Sequence, residues 1–231
     1  MKQIIALGGG GFSMEPENTL LDSYILKLSN KERPKICFIP TASGDSEDYI
    51  SRFYQFFEKM NCEPSHLSLF VPPTRDLEGY ILEKDIIYVG GGSTKNLVAL
   101  WKEWGLDSIL KKAWSQEIII AGISAGAICW FEEGVTGSFG GMDPIGALGF
   151  LKGSYCPHYD GEVDRRPAYR KLIEEKEIIP GYAVDDGAAL HFIDDKLYQV
   201  VTSRPNAKAY RVFLEDGVIE EELEKKYLGE E

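Results

Sequence analysis

The sequence predicts an α/β fold: a mostly parallel sheet flanked by helices, with antiparallel strands near the end of the chain. The first observation behind this is repetition. Short apolar runs at residues 3–7, 35–40 and 85–89 each pass into a glycine-rich or small-residue turn, and each turn leads into a stretch with helical periodicity. That order makes parallel strands joined by crossover helices. The second is the unbroken apolar run 118–123, which reads as a strand buried on both faces. The third is the late pair of runs at 196–202 and 209–214, with Asp194-Asp195 and Asp216-Gly217 as hairpin turns.

The elements follow in order. Residues 3–7 form the first strand and end in Gly8-Gly9-Gly10-Gly11. This run lacks the last glycine of G-x-G-x-x-G, since Ser13 stands there, so a tight turn is preferred to a dinucleotide site. A helix is expected over 18–28, with Leu20, Leu21, Tyr24, Ile25 and Leu28 on one face. After the second strand, Tyr49, Phe53, Phe56, Phe57 and Met60 form an aromatic helical stripe that belongs to the core. A third strand is expected at 66–70, with His66 at its start in a structural role. The fourth runs into Gly90-Gly91-Gly92-Ser93-Thr94, which lacks the G-K-[ST] ending of a Walker loop. Residues 131–149 are rich in glycine and poor in periodicity, and read as an active-site loop carrying Asp143-Pro144. A strand over 148–155 leads to Pro157-His158, and a helix over 165–175 follows. Residues 181–190 read as strand, turn, strand, and 220–231 as a solvated, charge-rich tail. Neither a repeat nor a linker is visible, so one domain over 1–231 is expected.

Composition narrows the function. The net charge of −12 argues against nucleic acid and anionic membrane surfaces as partners. No apolar run is long enough to span a bilayer, and residues 1–7 are too short for a signal-peptide core, so a cytoplasmic protein is expected. The cysteines Cys37, Cys62, Cys129 and Cys156 are scattered, as buried structural thiols would be. Neither a metal site nor a cofactor motif is found.

Ligands in parallel sheets bind beyond the carboxyl ends of the strands. The turns at 8–11, 41–44 and 90–94 and Ser124 should therefore meet on one rim. Gly122-Ile123-Ser124-Ala125-Gly126 is a G-x-S-x-G pattern between a buried strand and small helix-forming residues, the signature of a nucleophile elbow. The N–H of Ala125 and one from Gly91 or Gly92 are candidate oxyanion donors. A serine nucleophile needs a base and an acid that orients it. Of three histidines, His158 is the best base, because His191 sits in an apolar strand. Asp143 and Asp186 are the candidate acids, ahead of Asp185, Asp160 and Asp164.

With these residues in this order, the sequence resembles the peptidase E (aspartyl dipeptidase) family of serine peptidases, relatives of the class I glutamine amidotransferase-like folds; cyanophycinases are similar too. The resemblance rests on Gly90-Gly91-Gly92-Ser93-Thr94, Gly122-Ile123-Ser124-Ala125-Gly126-Ala127, Asp143-Pro144-Ile145, Pro157-His158 and Asp186-Gly187. It implies a flavodoxin-like three-layer fold and a monomer or homodimer acting on small peptides with an N-terminal aspartate. It assigns Ser124 as nucleophile and His158 as base and leaves Asp143 and Asp186 both open as the acid; Asp186, standing where the family has Glu, is preferred because a strand-end turn is more rigid than a glycine-rich loop. Arg165 best matches the arginine that receives the substrate side chain, with Arg166 and Arg170 as substitutes. Two other readings keep the scaffold: a cyanophycinase-like enzyme, amidase or esterase, and a non-catalytic binding protein.

Overall fold

The protein is described by a computed structural model over residues 1–229. Five parallel strands make the centre: β1 (Gln3–Leu7), β2 (Lys35–Ile39), β3 (Glu63–His66), β4 (Ile86–Val89) and β5 (Ile119–Ile123). Four strands, β6 (Phe131–Thr136), β7 (Asp143–Gly146), β8 (Leu151–Cys156) and β9 (Gly181–Val184), then begin a second sheet. The chain returns to the first with β10 (Ala188–Ile193) and β11 (Lys196–Thr202), adds β12 (Ala209–Leu214) and β13 (Val218–Glu222) to the second, and ends on β14 (Lys225–Tyr227) in the first. The strand orders are β14-β11-β10-β1-β5-β4-β2-β3 and β13-β12-β9-β8-β6-β7.

Side-chain alternation explains the layering. In β1, Ile4 and Ala6 face one core while Ile5 and Leu7 face another, and all four are fully buried. A strand covered on both faces needs apolar residues at every position, which is why these runs are continuous. One face of the first sheet is covered by α1 (Gly11–Met14), α2 (Leu20–Lys27) and α3 (Glu47–Phe57), through Phe12, Leu21, Ile25, Phe53 and Phe57. The other face meets α4 (Leu77–Leu82), α5 (Thr94–Trp104) and α6 (Leu106–Ser115), together with Phe131, Leu151 and Tyr155 of the second sheet. After β5 comes the one-turn helix α7 (Ala125–Ile128). The last helix, α8 (Arg165–Glu174), covers the far side of the second sheet with Tyr169, Leu172 and Ile173.

Three expectations are corrected. The third strand ends at His66 instead of starting there. Residues 67–70 form a loop pinned by Asp45, whose carboxylate accepts the Ser68 hydroxyl and the N–H groups of Leu69 and Phe70. The glycine-rich segment 131–149 is largely paired structure, with β6 and β7 antiparallel and Asp143 opposite Thr136. Residues 181–190 are strand, turn and strand as expected, and β9 and β10 join different sheets. The charge-rich tail carries β13 and β14, and Glu220 is drawn inward by Arg166, Arg170 and the Tyr159 hydroxyl. Glu230 and Glu231 lie outside the described residues.

The other two histidines are structural. His191 is buried between the Tyr24 hydroxyl and Gln3, at 2.6 and 3.0 Å, and burial lowers its pKa to about 4. His66 takes the Tyr54 hydroxyl at 2.9 Å. All four cysteines are buried free thiols.

Under the glycine run lies Asp22, fully buried, with Oδ2 accepting the Phe12 N–H at 2.8 Å. Its Oδ1 and the Tyr88 hydroxyl have no hydrogen-bond partner among the described residues. Burial raises the Asp22 pKa from 3.8 to about 7. The folded state thus holds a proton that the unfolded state releases, so this contribution is full below about pH 4 and is lost as pH rises toward 7. The Asp22→Asn variant should be more stable than wild type at pH 8, by about 4 kcal/mol, since each pKa unit is worth about 1.4 kcal/mol. At pH 4 the difference should vanish. Urea unfolding at both pH values checks this; an equal difference at both would refute it.

Candidate active site

Four loops meet at the carboxyl ends of the parallel strands. The N–H of Ser124 donates to the Leu7 carbonyl at 3.2 Å, and the N–H of His158 donates to the next carbonyl, Gly8, at 3.3 Å. The Leu7 and Gly8 carbonyls thus anchor Ser124 and His158 to the same end of β1. The N–H of Gly187 donates to the Gly9 carbonyl at 2.9 Å, and this brings Asp186 to the same place.

Ser124 has φ 55° and ψ −115°, a conformation that L-residues seldom adopt. The strain comes from the sharp reversal between β5 and α7. A side chain on Gly122 would overlap the Gly126 carbonyl, and one on Gly126 would overlap the Val89 carbonyl. Both glycines of the G-x-S-x-G pattern are therefore needed for α7 to sit this close to the sheet. His158 is also left-handed, at φ 51°.

His158 Nδ1 and Asp186 Oδ1 are 2.7 Å apart, with both side chains nearly buried. An Nδ1–H donated to the carboxylate leaves Nε2 as the basic nitrogen. Room for this pair is made by two glycines. A Cβ on Gly9 would overlap Asp186 Oδ1 and approach His158 Nδ1 to 2.9 Å, and a Cβ on Gly161 would overlap Asp186 Oδ2. The Asp186 N–H is held by Asp160 Oδ1 at 2.8 Å. Asp143 is elsewhere: it lies on β7, lines a separate depression with Met142, Pro144 and Lys171, and makes no hydrogen bond to His158. Asp185 accepts the Lys208 N–H, and Asp164 precedes α8.

The two oxyanion candidates on the Gly90–Gly92 turn differ. The Gly91 N–H donates to the Tyr49 hydroxyl at 3.3 Å, so it is already used, contrary to its expected availability. What Gly91 supplies is space, since a Cβ there would stand 3.4 Å from Ser124 Cβ. The N–H groups of Gly92 and Ala125 have no hydrogen-bond partner among the described residues. Gly92 has φ 137° and lies against the Ala42 carbonyl, where a side chain would overlap.

Ser124 opens into a cavity of about 450 Å³, lined also by Gly92, Thr94, Thr136, Met142, Glu162 and Arg165. Arg165 is 6% exposed; its Nε donates to Glu162 Oε2 and its Nη1 to the Val135 carbonyl, each at 2.7 Å. Arg166 and Arg170 point away to Glu220. One cavity wall is a run of hydroxyls from Ser93, Thr94, Thr136 and Ser138.

Several of these residues were not singled out from the sequence. Gly9 was read as part of a plain turn and Tyr49 as a core aromatic only, and Gly161 and Glu162 were given no role. A glycine two residues beyond a strand, or three beyond a histidine, carries no local sign of a distant carboxylate.

Residues 4–200 match the model of peptidase family S51. The chain belongs to that family. The S51 protein is 64% identical, over 99% of its own length and all of the relative's, to the uncharacterized peptidase YgaJ of Bacillus subtilis (strain 168). Its fold is shared by two solved structures. One is a peptidase from an acI-B1 actinobacterium, with a TM-score of 0.70 at 19% identity, covering 97% of this chain and 95% of the other. The other is a putative peptidase E from Listeria monocytogenes EGD-e, with a TM-score of 0.62 at 18% identity, covering 97% and 100%. The S51 protein is thus a peptidase, and its α/β architecture is that of its structural neighbours. None of its described helices is long and apolar enough to cross a membrane.

Proposed function

We propose that this S51 peptidase is a serine peptidase that removes an N-terminal aspartate from short peptides. The observation that carries the reading is the His158–Asp186 pair, 2.7 Å apart, anchored with the strained Ser124 to one strand end through the carbonyls of Leu7 and Gly8. In this reading His158 Nε2 takes the Ser124 proton as Oγ attacks the first peptide carbonyl, and the N–H groups of Gly92 and Ala125 stabilise the oxyanion. His158 then gives the proton to the leaving amine, and water repeats the sequence on the acyl-enzyme. Asp186 keeps the imidazole in the productive tautomer and stabilises its charged form.

The aspartyl preference is supported by Arg165, the cation that lines the Ser124 cavity. Nε and Nη1 are bound within the protein, which leaves Nη2 for a carboxylate. The test is turnover of Asp-Leu, Glu-Leu, Asn-Leu and Ala-Leu. Asp-Leu should be hydrolysed selectively, and Arg165→Met should lower its kcat/KM by about 100-fold, the loss of one charge-assisted contact, while Ser124 still labels with a fluorophosphonate. Equal hydrolysis of Asp-Leu and Ala-Leu would remove the aspartyl assignment.

A further inference from the structure

The wall beside Ser124 carries one acidic and one basic side chain, and they touch. Arg165 is the only cation and Glu162 the only carboxylate among the residues lining this cavity. We propose that Glu162 binds the free α-ammonium group of the substrate, so that the site reads the amino terminus of the peptide as well as its first side chain. The proposal rests on the reading that Ser124 attacks the first peptide bond.

Three features support it. Glu162 holds Arg165 through Oε2 alone; Oε1 has no partner among the described residues, and the side chain is 42% exposed. A cation can therefore reach Oε1 without breaking the pair. Glu162 is also close to the chemistry, because its N–H donates to the His158 carbonyl at 3.0 Å. The amino nitrogen of an N-terminal residue is only two bonds from the attacked carbonyl carbon, so its partner must stand near the nucleophile. The other nearby carboxylates are occupied: Asp186 binds His158, and Asp160 binds the Asp186 N–H.

The charges are also complementary. An N-terminal aspartate carries its ammonium and its carboxylate on adjacent carbons. Arg165 and Glu162 stand side by side with opposite signs, so the ligand's two groups and the protein's two groups can alternate. A protein of net charge −12 repels anions at long range, and this local alternation binds the zwitterion without a broad positive field. A substrate without the amine would cover Glu162 Oε1 and offer it no cation, and a carboxylate oxygen desolvated without a partner is costly.

The test compares Asp-Leu with succinyl-Leu, which differs only by the missing amine, and Ala-Leu with propionyl-Leu in the same way. For wild type the ratio of kcat/KM, amine over no amine, should be about 100 or more, as for sites built around a polar group of the substrate. In Glu162→Gln the ratio should fall below about 10, through a loss on the amine substrates larger than any loss on the amine-free ones. Fluorophosphonate labelling of Ser124 shows that the variant is folded. A wild-type ratio near one overturns the proposal, as does a variant that keeps the wild-type ratio or loses both substrates equally. Cleavage of Ala-Leu without preference for Asp-Leu would sink the aspartyl reading alone, and the alanine pair would still judge Glu162. A labelled wild type that cleaves none of the four would overturn both.

Discussion

Ser124→Ala is expected to lower kcat by about 10⁴- to 10⁶-fold, the loss seen when a serine nucleophile is removed from a triad. KM should change little, because the Ser124 side chain contributes chemistry and almost no binding. The fold should survive. The Ser124 N–H bond to Leu7 is made by the backbone, and alanine carries the same Cβ into the same φ of 55°. Measuring kcat on Asp-Leu, fluorophosphonate labelling and the melting temperature on one preparation checks all three statements. A variant retaining more than about a hundredth of the wild-type kcat would rule out Ser124 as nucleophile.

The second large effect separates two carboxylates that the sequence left in competition. Asp186→Asn should reduce kcat by about 10⁴-fold, and Asp143→Asn should leave it within about threefold. Asparagine fills the same space between Gly9 and Gly161, so the reduction comes from its hydrogen bonding. A neutral amide neither fixes the Nδ1–H tautomer of His158 nor stabilises the imidazolium formed during attack. Asp143 is half-buried on β7 and makes no bond to His158, so removing its charge touches nothing on the proton path. The kcat values of both variants, read beside unchanged melting temperatures, give the answer. Comparable losses in the two, or a loss confined to Asp143→Asn, would overturn the assignment of Asp186.

Asp186 reaches His158 because the backbone around it approaches closely. Asp186 bridges to Gly9, Gly187 bonds the Gly9 carbonyl, and glycines at 9 and 161 let the carboxylate sit against the ring. The glycine run after β1, which looked like a tight turn and nothing more, is the cradle of this contact. The opposite error arose at 131–149, where glycine density suggested a loop. Those glycines lie in and between paired strands, and Gly134 is small because Ile128 and the Tyr155 carbonyl pack against it.

Much of the fold was legible because its signals are local. Unbroken apolar runs marked strands covered on both faces, and glycines at their ends marked the rim. The G-x-S-x-G pattern located Ser124, since the requirement it meets, room between a strand and the helix that follows, is set within five residues. The second sheet was not legible. Its strands β6 to β9, β12 and β13 are individually ordinary, and which sheet each joins depends on pairing partners far along the chain. The availability of the Gly91 N–H was hidden for the same reason, because Tyr49 reaches it from another helix.

By itself the sequence determined the parallel strand–helix repeat, the G-x-S-x-G turn at Ser124, and membership of a peptidase family. Only the tertiary structure decided which acid meets His158, which amides remain free, and that Glu162 stands against Arg165 beside Ser124. Propensity and periodicity act over a few residues. The meeting of Gly9, His158 and Asp186 depends on β10 pairing antiparallel to β1 while β9 lies in the other sheet. That crossing brings residues 184–187 over the end of β1, and no property of any one segment contains it.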